Sequence, residues 1–348
     1  MTVDIAQHHF KTDKVDFTIL DAPGHRDFVP NMIGGASMAD MAVLVVDANQ
    51  LDSGMKGQTR EHILLAHAVG LRRVVVAVNK LDTTTPAWSK NAFNSVKSEI
   101  QKLLKDTGFR DEDVAVIPCS GLSGENVVKS PPMDWMKNTH PTLLQQLEKF
   151  APRSVATEVV GQPFRMQIAD VFRGGITNPL SIAGRITSGN VQVGDVVLIQ
   201  PSGETANIKG IEVGGEAREF SVPGEIPTLH LVNIDAQQLR SGDVACASQK
   251  PVQVVKTAML KVKAFDSLLP QKTDVHIGRL HKPGSIALVA TLKDGEVLKK
   301  RPRVIKAEQT ALVKITLADS SIPLEPGTGV VLRAEGSTIA AGMAVESS

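Results

Sequence analysis

The sequence contains no tyrosine, and aromatic residues make up only 3% of it. That scarcity argues against a surface that stacks the bases of single-stranded nucleic acid on aromatic rings. There are two cysteines, Cys119 and Cys246, too few and too far apart to form a disulfide framework or a zinc site alone. Reduced thiols in an intracellular protein are the expectation. Neither sign of charge is in excess: 38 Lys plus Arg face 37 Asp plus Glu. Bulk charge therefore advertises neither nucleic acid nor membrane, although a local basic patch stays open because net charge averages over every face. Apolar runs such as Val74–Val78 fall far short of the roughly 20 residues of a membrane span. Residues 1–9 lack the basic start and apolar block of a signal peptide. What is present, 348 residues at 42% hydrophobic and 22% charged, fits a folded protein of two or three domains.

The first 150 or so residues alternate strand-like runs, at Val15–Leu20, Ala42–Val46, Val74–Val78 and Val114–Ile117, with helical stretches at Gln58–Val69 and Trp88–Thr107. A further strand is expected at Val3–Ala6, so the chain enters almost directly into a strand. Strands alternating with helices predict a mostly parallel, doubly wound sheet. From about Ala151 the helical periodicity disappears. Turn signals follow at short intervals, among them Ser188-Gly189-Asn190, Gly214-Gly215, Ser241-Gly242-Asp243 and Pro326-Gly327. They predict all-β barrels. The expected division is 1–152, 160–250 and 252–348.

Three short motifs follow three of the strands. Asp21-Ala22-Pro23-Gly24-His25 stands at the carboxyl end of Val15–Leu20, where ligands of α/β sheets bind. An aspartate there can hold Mg²⁺, and Gly24 can offer a backbone amide to a terminal phosphate; a plain turn explains the same residues. Asn79-Lys80-Leu81-Asp82 follows the next strong strand. A carboxylate only accepts hydrogen bonds, so Asp82 suits the ring N–H and exocyclic amine of guanine, a donor pair that adenine lacks. Asn79 can tie loops together and the Lys80 stem can lie over the base; a solvated capping loop is the competing explanation. Ser120-Gly121-Leu122, after Val114–Pro118, offers an amide to the guanine carbonyl, though small residues after strands are common. The three in this order, each behind its own strand, point to a guanine-nucleotide domain. Thr2 precedes the first expected strand and could ligate Mg²⁺; spacing alone favours an unremarkable N-terminal residue.

DAPGHRDF, NMIGGASMAD, GQTREH, NKLD and CSGLSGEN resemble the translational GTPases of the elongation factor 1-alpha class, and the resemblance covers essentially the whole chain. It implies a multidomain α/β plus all-β fold, a P-loop-GTPase-type sheet followed by two β-barrels, with GTP/GDP and Mg²⁺ as ligands. Position by position, Thr2 matches the switch I threonine and Asp21 and Gly24 the DxxG of switch II. His25 matches the catalytic histidine that orients the attacking water. Asn79, Lys80 and Asp82 match the base-specificity motif, and Ser120, Gly121 and Leu122 the last guanine-contacting loop. Within the class, Gly184–Val193, Gln238–Asp243 and Gly336–Gly342 resemble the ribosome-rescue branch, the GTPase that partners Pelota, a release-factor-like protein, on stalled ribosomes. FVPNMIGGAS also resembles the release-factor GTPase.

The sequence departs from that pattern at one point. No G-x-x-x-x-G-K-[ST] occurs, and Gly-Lys is absent as a dipeptide. The family places this loop upstream of Thr2. The reading is therefore a sheet lacking its first strand and P-loop, N-terminally truncated, with guanine still recognised but its phosphates without their main holder. The family's first strand lies between those at Val15–Leu20 and Ala42–Val46, so its absence is expected to leave two apolar edges unpaired. The resemblance implies a cytoplasmic monomer that works with the ribosome and a Pelota-type partner, with rRNA contacts. The rivals are a non-enzymatic adaptor binding through its barrels, and a release-factor or elongation-factor GTPase. In the last domain Lys299–Arg303, with Arg279, His281 and Lys282, invites an RNA reading, against which a solvated hairpin is the simpler account.

Overall fold

The computed structural model describes residues 5–22, 29–49, 58–129, 132–137, 139–152, 157–172, 180–293 and 295–346. The chain divides into two compact units, Met1–Val29 with Ala39–Arg153, and Pro30–Met38 with Ser154–Ser348.

The first unit begins with an antiparallel hairpin of β1 (Ala6–Lys11) and β2 (Asp16–Asp21), in which Ala6 faces Asp21 and Lys11 faces Asp16. Val3 and Asp4 of the expected strand Val3–Ala6 lie outside the described residues, and the strand seen extends from Ala6 to Lys11. A largely exposed hairpin strand accepts the polar Gln7, His8 and His9 that hid it from a hydrophobicity pattern. After α1 (Val29–Met38) comes a parallel sheet in the order β3 (Met41–Asp47), β4 (Arg73–Asn79), β5 (Val114–Pro118). Its helices are α2 (Gln58–Ala68), α3 (Lys90–Thr107) and α4 (Leu143–Phe150). Helix α3 is bounded by Ser89, whose side chain accepts from the Ala92 N–H, and by Gly108 in a left-handed conformation. Its residues Phe93, Val96, Ile100 and Leu104, at helical spacing, pack on Val74, Val76 and Val78. On the other face Val75 and Ile117 meet Phe150 of α4, a helix closed by a capping box between Thr142 and Gln145. Burial on both faces is why β4 reads as unbroken valine and alanine.

Among the described residues, β2 pairs only with β1 and β3 only with β4. The unpaired edges are apolar, with Ile19, Val43 and Val45 exposed at 49%, 44% and 63%.

The second unit contains, after α5 (Thr157–Val160), two closed six-stranded barrels. The first contains β6 (Arg165–Phe172), β7 (Ser181–Ser188), β8 (Val191–Gln192), β9 (Val196–Gln200), β10 (Glu204–Val213), β11 (Glu216–Arg218), β12 (Phe220–Ser221), β13 (Thr228–Val232) and β14 (Val244–Ala247). Its ring runs β10-β13-β7-β6-β14-β9 and closes by the β9–β10 pairing. The second contains β15 (Val254–Val255), β16 (Thr257–Ala264), β17 (Gln271–Ile277), β18 (Leu280–Lys293), β19 (Glu296–Lys300), β20 (Thr310–Leu317), β21 (Ile322–Pro323), β22 (Gly329–Ala334) and β23 (Ser337–Val345). Here the ring is β17-β22-β23-β16-β20-β18, closed by β17–β18, with β19 attached outside it. The barrels are joined by Arg165, whose guanidinium grips both oxygens of Glu325 at 2.8–3.0 Å, and by Arg279 near Asp170 at 3.6 Å. The backbone of α1 is held in the same unit by Arg185, which donates to the Met38 carbonyl.

Closing a barrel of six strands bends each of them sharply. Each ring carries a glycine where two backbones come too close for any side chain. A Cβ on Gly184 of β7 would lie 1.9 Å from the Gln167 oxygen, and one on Gly342 of β23 would lie 1.9 Å from the Lys261 oxygen. Both glycines belong to stretches that carried the resemblance to the ribosome-rescue branch. At these two positions barrel geometry alone is enough to require glycine.

His276 of β17 is 3% exposed and stacks on His281 with ring centroids 4.4 Å apart. Burial, helped by the His281 and Arg333 charges, pushes its imidazole down to about 4 from the ordinary 6.5. The unfolded chain thus takes up this proton first as pH falls. The contribution is fully present above 6.5 and is lost between 6.5 and 4, reaching roughly 3 kcal/mol. Asp243 has the opposite sign, since burial pushes its carboxyl up to about 6. The difference in melting temperature between the parent and His276→Phe, followed from pH 7 to pH 4, cancels the Asp243 part. The parent is expected to lose more stability than the variant; parallel curves would contradict the assignment.

Candidate functional site

The parallel register Val46↔Val78↔Pro118 brings the carboxyl ends of β3, β4 and β5 side by side, the edge where α/β sheets bind ligands. Asn79 closes β4 and ties two loops together. Its Oδ1 accepts from the Lys80 N–H at 2.8 Å and from the Gly121 N–H at 2.7 Å. Asn79 and Gly121 are 42 residues apart in sequence, so the loop after β5 is fastened to the loop after β4.

Leu81 sets the orientation of the next residue. It is fully buried, and its carbonyl accepts from the Trp88 N–H at 2.7 Å and the Thr84 N–H at 3.3 Å. The short turn Leu81–Thr83 that it anchors presents Asp82. Asp82 Oδ1 is buried and has no hydrogen-bond partner among the described residues. Leaving such an acceptor unsatisfied costs about 1–3 kcal/mol, more for a charged group, a cost that a donor supplied from outside would remove. The ring N–H and exocyclic amine of guanine are such donors. Nearby, burial and the Asp82 charge push the Cys119 thiol up to about 11, so it stays protonated and chemically quiet.

The structure adds a residue that the motif reading missed. Lys80, in a left-handed conformation at φ 62°, is gripped by Asp47 at 2.8 Å. Burial pushes the Asp47 carboxyl up, but hydrogen bonds from Lys80 and from Asn49 outweigh it and hold it below the usual range. Asp47 therefore stays charged and fixes the Lys80 stem. Its signal in the sequence was an aspartate ending the strand Ala42–Val46. Asn49 extends the tie by donating to Thr83 Oγ1 at 2.9 Å.

Ser120 is fully buried and its Oγ accepts from the Ser123 N–H, so it shapes the loop. Leu122 is 95% exposed at the loop's tip. The structure thus gathers Asn79, Lys80, Asp82, Ser120, Gly121 and Leu122 at one edge. Asp21 ends β2, in the separate hairpin. Thr2, Gly24 and His25 lie outside the described residues. Among the described residues no helix is long and apolar enough to cross a membrane.

Residues 1–153 match the family described as the elongation factor Tu GTP binding domain. The chain is 37% identical to elongation factor 1-alpha of Thermoplasma acidophilum over 361 residues, covering 99% of this chain and 82% of the relative. It is 34% identical to Protein HBS1 of Drosophila melanogaster over 367 residues, covering 99% of this chain and 53% of that protein. Among solved structures it is similar to the translation elongation factor SelB of Methanococcus maripaludis in complex with a GTP analogue. There the TM-score is 0.77 at 20% identity, over 99% of this chain and 74% of that one, a likeness of fold. The parallel-sheet edge carrying NKLD and the two barrels thus come with sequence identity along the whole chain, which belongs to the elongation factor Tu/elongation factor 1-alpha family of translational GTPases.

Proposed function

We propose that this chain is a ribosome-rescue factor that selects guanine nucleotides and carries a Pelota-type, release-factor-like partner to stalled ribosomes. The observation that supports guanine selection is the buried, unpartnered Asp82 Oδ1 beside the Asn79–Gly121 tie. The rescue branch is supported by the stretches Gly184–Val193, Gln238–Asp243 and Gly336–Gly342 and by the similarity to Protein HBS1. His25 would orient the attacking water, and Asp21 with Thr2 would hold Mg²⁺, which would screen the phosphate charge when bound.

These 348 residues contain no G-x-x-x-x-G-K-[ST], so this polypeptide by itself offers nucleotide phosphates no such cradle. The 348-residue protein is accordingly expected to bind fluorescent GTP more weakly than micromolar, while still preferring guanine to adenine nucleotides in competition. Micromolar or tighter binding would refute the first expectation, and equal competition by ATP the second. A nucleotide-independent adaptor is the second reading, favoured by two barrels that close as complete rings. Co-sedimentation of the chain with ribosomes and Pelota, with and without GTP, separates the two. Preferential binding of charged over uncharged tRNA would instead place the chain with the elongation factors.

A further inference from the structure

Strand β19 hangs outside a barrel that is already closed, and it pairs only with β18, so its second edge is open among the described residues. All five of its residues are exposed, whereas a strand seated on a barrel hides alternate side chains. Val297 and Leu298 are 50% and 64% exposed. Leu298 is the extra residue of a bulge. Lys299 faces Thr291 and Val297 faces Leu292, which leaves Leu298 without a cross-strand partner. Directly after it come Lys299, Lys300, Arg301 and Arg303, none of which has an ion-pair partner among the described residues. Arg301 adopts φ 47° and donates its N–H to the Val289 carbonyl at 2.8 Å, which fixes the end of the ribbon.

A free strand edge, two apolar side chains and an excess of positive charge, four cations against Glu296, thus fall in one stretch of eight residues, 296–303. Lysines and bulges on edge strands ordinarily prevent edge-to-edge aggregation. Here they also discriminate. A second copy brings the same cations and is repelled, while a strand of opposite charge is attracted. RNA phosphates would use the cations but leave Val297, Leu298 and the open backbone edge in water. We propose that the open edge of β19 is a docking strand for an extended segment of a partner protein in which acidic and apolar residues alternate. Main-chain hydrogen bonds to β19 hold the segment, Val297 and Leu298 receive its apolar side chains, and the four cations select its charge.

The test uses the full chain and a fluorescein-labelled eight-residue peptide alternating Glu and Val, with binding followed by anisotropy. The comparison ligands are the same peptide with Lys for Glu, one with Ser for Val, and a short RNA duplex. The Glu/Val peptide is expected to bind at least tenfold more tightly than any of the three and to protect from hydrogen exchange the β19 amides that face its open edge. Lys299→Glu combined with Lys300→Glu is expected to weaken it tenfold or more, and Leu298→Ser several-fold. Circular dichroism should not change, since these side chains are exposed outside the ring. Equal binding of the Glu/Ser peptide would reduce the effect to diffuse attraction and overturn the proposal. Tighter binding of the RNA duplex, or saturation without exchange protection, would overturn it as well.

Discussion

Replacing Asp82 with asparagine is expected to turn a preference for guanine into a preference for xanthine. In the proposed site the carboxylate would accept from two adjacent guanine donors, and its buried Oδ1 has no partner among the described residues. Asparagine presents one acceptor and one donor. Against guanine the new N–H₂ meets the exocyclic amine, donor against donor, and two buried groups lose their partners. The loss is about 2–4 kcal/mol, or roughly 30- to 1,000-fold in affinity. Xanthine has a carbonyl where guanine has its amine, so the same asparagine satisfies both of its groups. Competition between GDP and XDP for the parent and for Asp82→Asn, read by ligand-observed NMR where binding is weak, measures the ratio directly. An unchanged ratio would show that Asp82 does not face the base. The Asn79–Gly121 and Lys80–Asp47 contacts do not involve Asp82, so the loop should keep its shape in the variant.

Replacing Gly342 with alanine is expected to disrupt the second barrel. Its Cβ would stand 1.9 Å from the Lys261 oxygen and 2.6 Å from the Val262 Cα. Both are backbone atoms, which no rotamer change can move aside. Gly342 pairs with Val262 on β16 and with Val330 on β22, so relief at one strand strains the other. The neighbouring Ala340 and Ala344 lie in the barrel core and move with it. A cost of about 3 kcal/mol or more follows, which for a barrel of this size lowers the melting temperature by roughly 10 °C or more. Gly336→Ala is the control. That glycine has φ 78° but open space around its missing Cβ, so only the backbone penalty of about 1–2 kcal/mol applies. Equal effects of the two substitutions would mean that the close approach is not what fixes Gly342.

The residues of the candidate site were legible because their chemistry is local. NKLD and SGL each pack their chemistry into three or four consecutive residues at a strand end, so order and spacing alone suggested a nucleotide edge. Asp47 was not legible. Its role depends on β3 lying beside β4 in parallel register, and no sequence interval records which strands are neighbours. Helix α3 announced itself through Phe93, Val96, Ile100 and Leu104 over 18 residues, whereas α1, with little periodicity, and α4, amphipathic but only eight residues long, were missed. For β1, a largely exposed edge tolerates polar residues, so the stretch Gln7–Lys11 carried little hydrophobic signal.

By itself, the sequence determined the change from α/β to all-β near Ala151, the order and spacing of the NKLD and SGL motifs behind their strands, and the lack of a G-x-x-x-x-G-K-[ST] motif within these 348 residues. Each of these depends on residue type and short spacing. Only the tertiary structure decided that Gly184 and Gly342 are demanded by strand approach, that Lys80 is held by Asp47, and that β19 stands outside its ring with an open edge. Those facts depend on which backbones lie within a few ångströms of each other after the barrels close, and that is a property of pairing across long sequence separations.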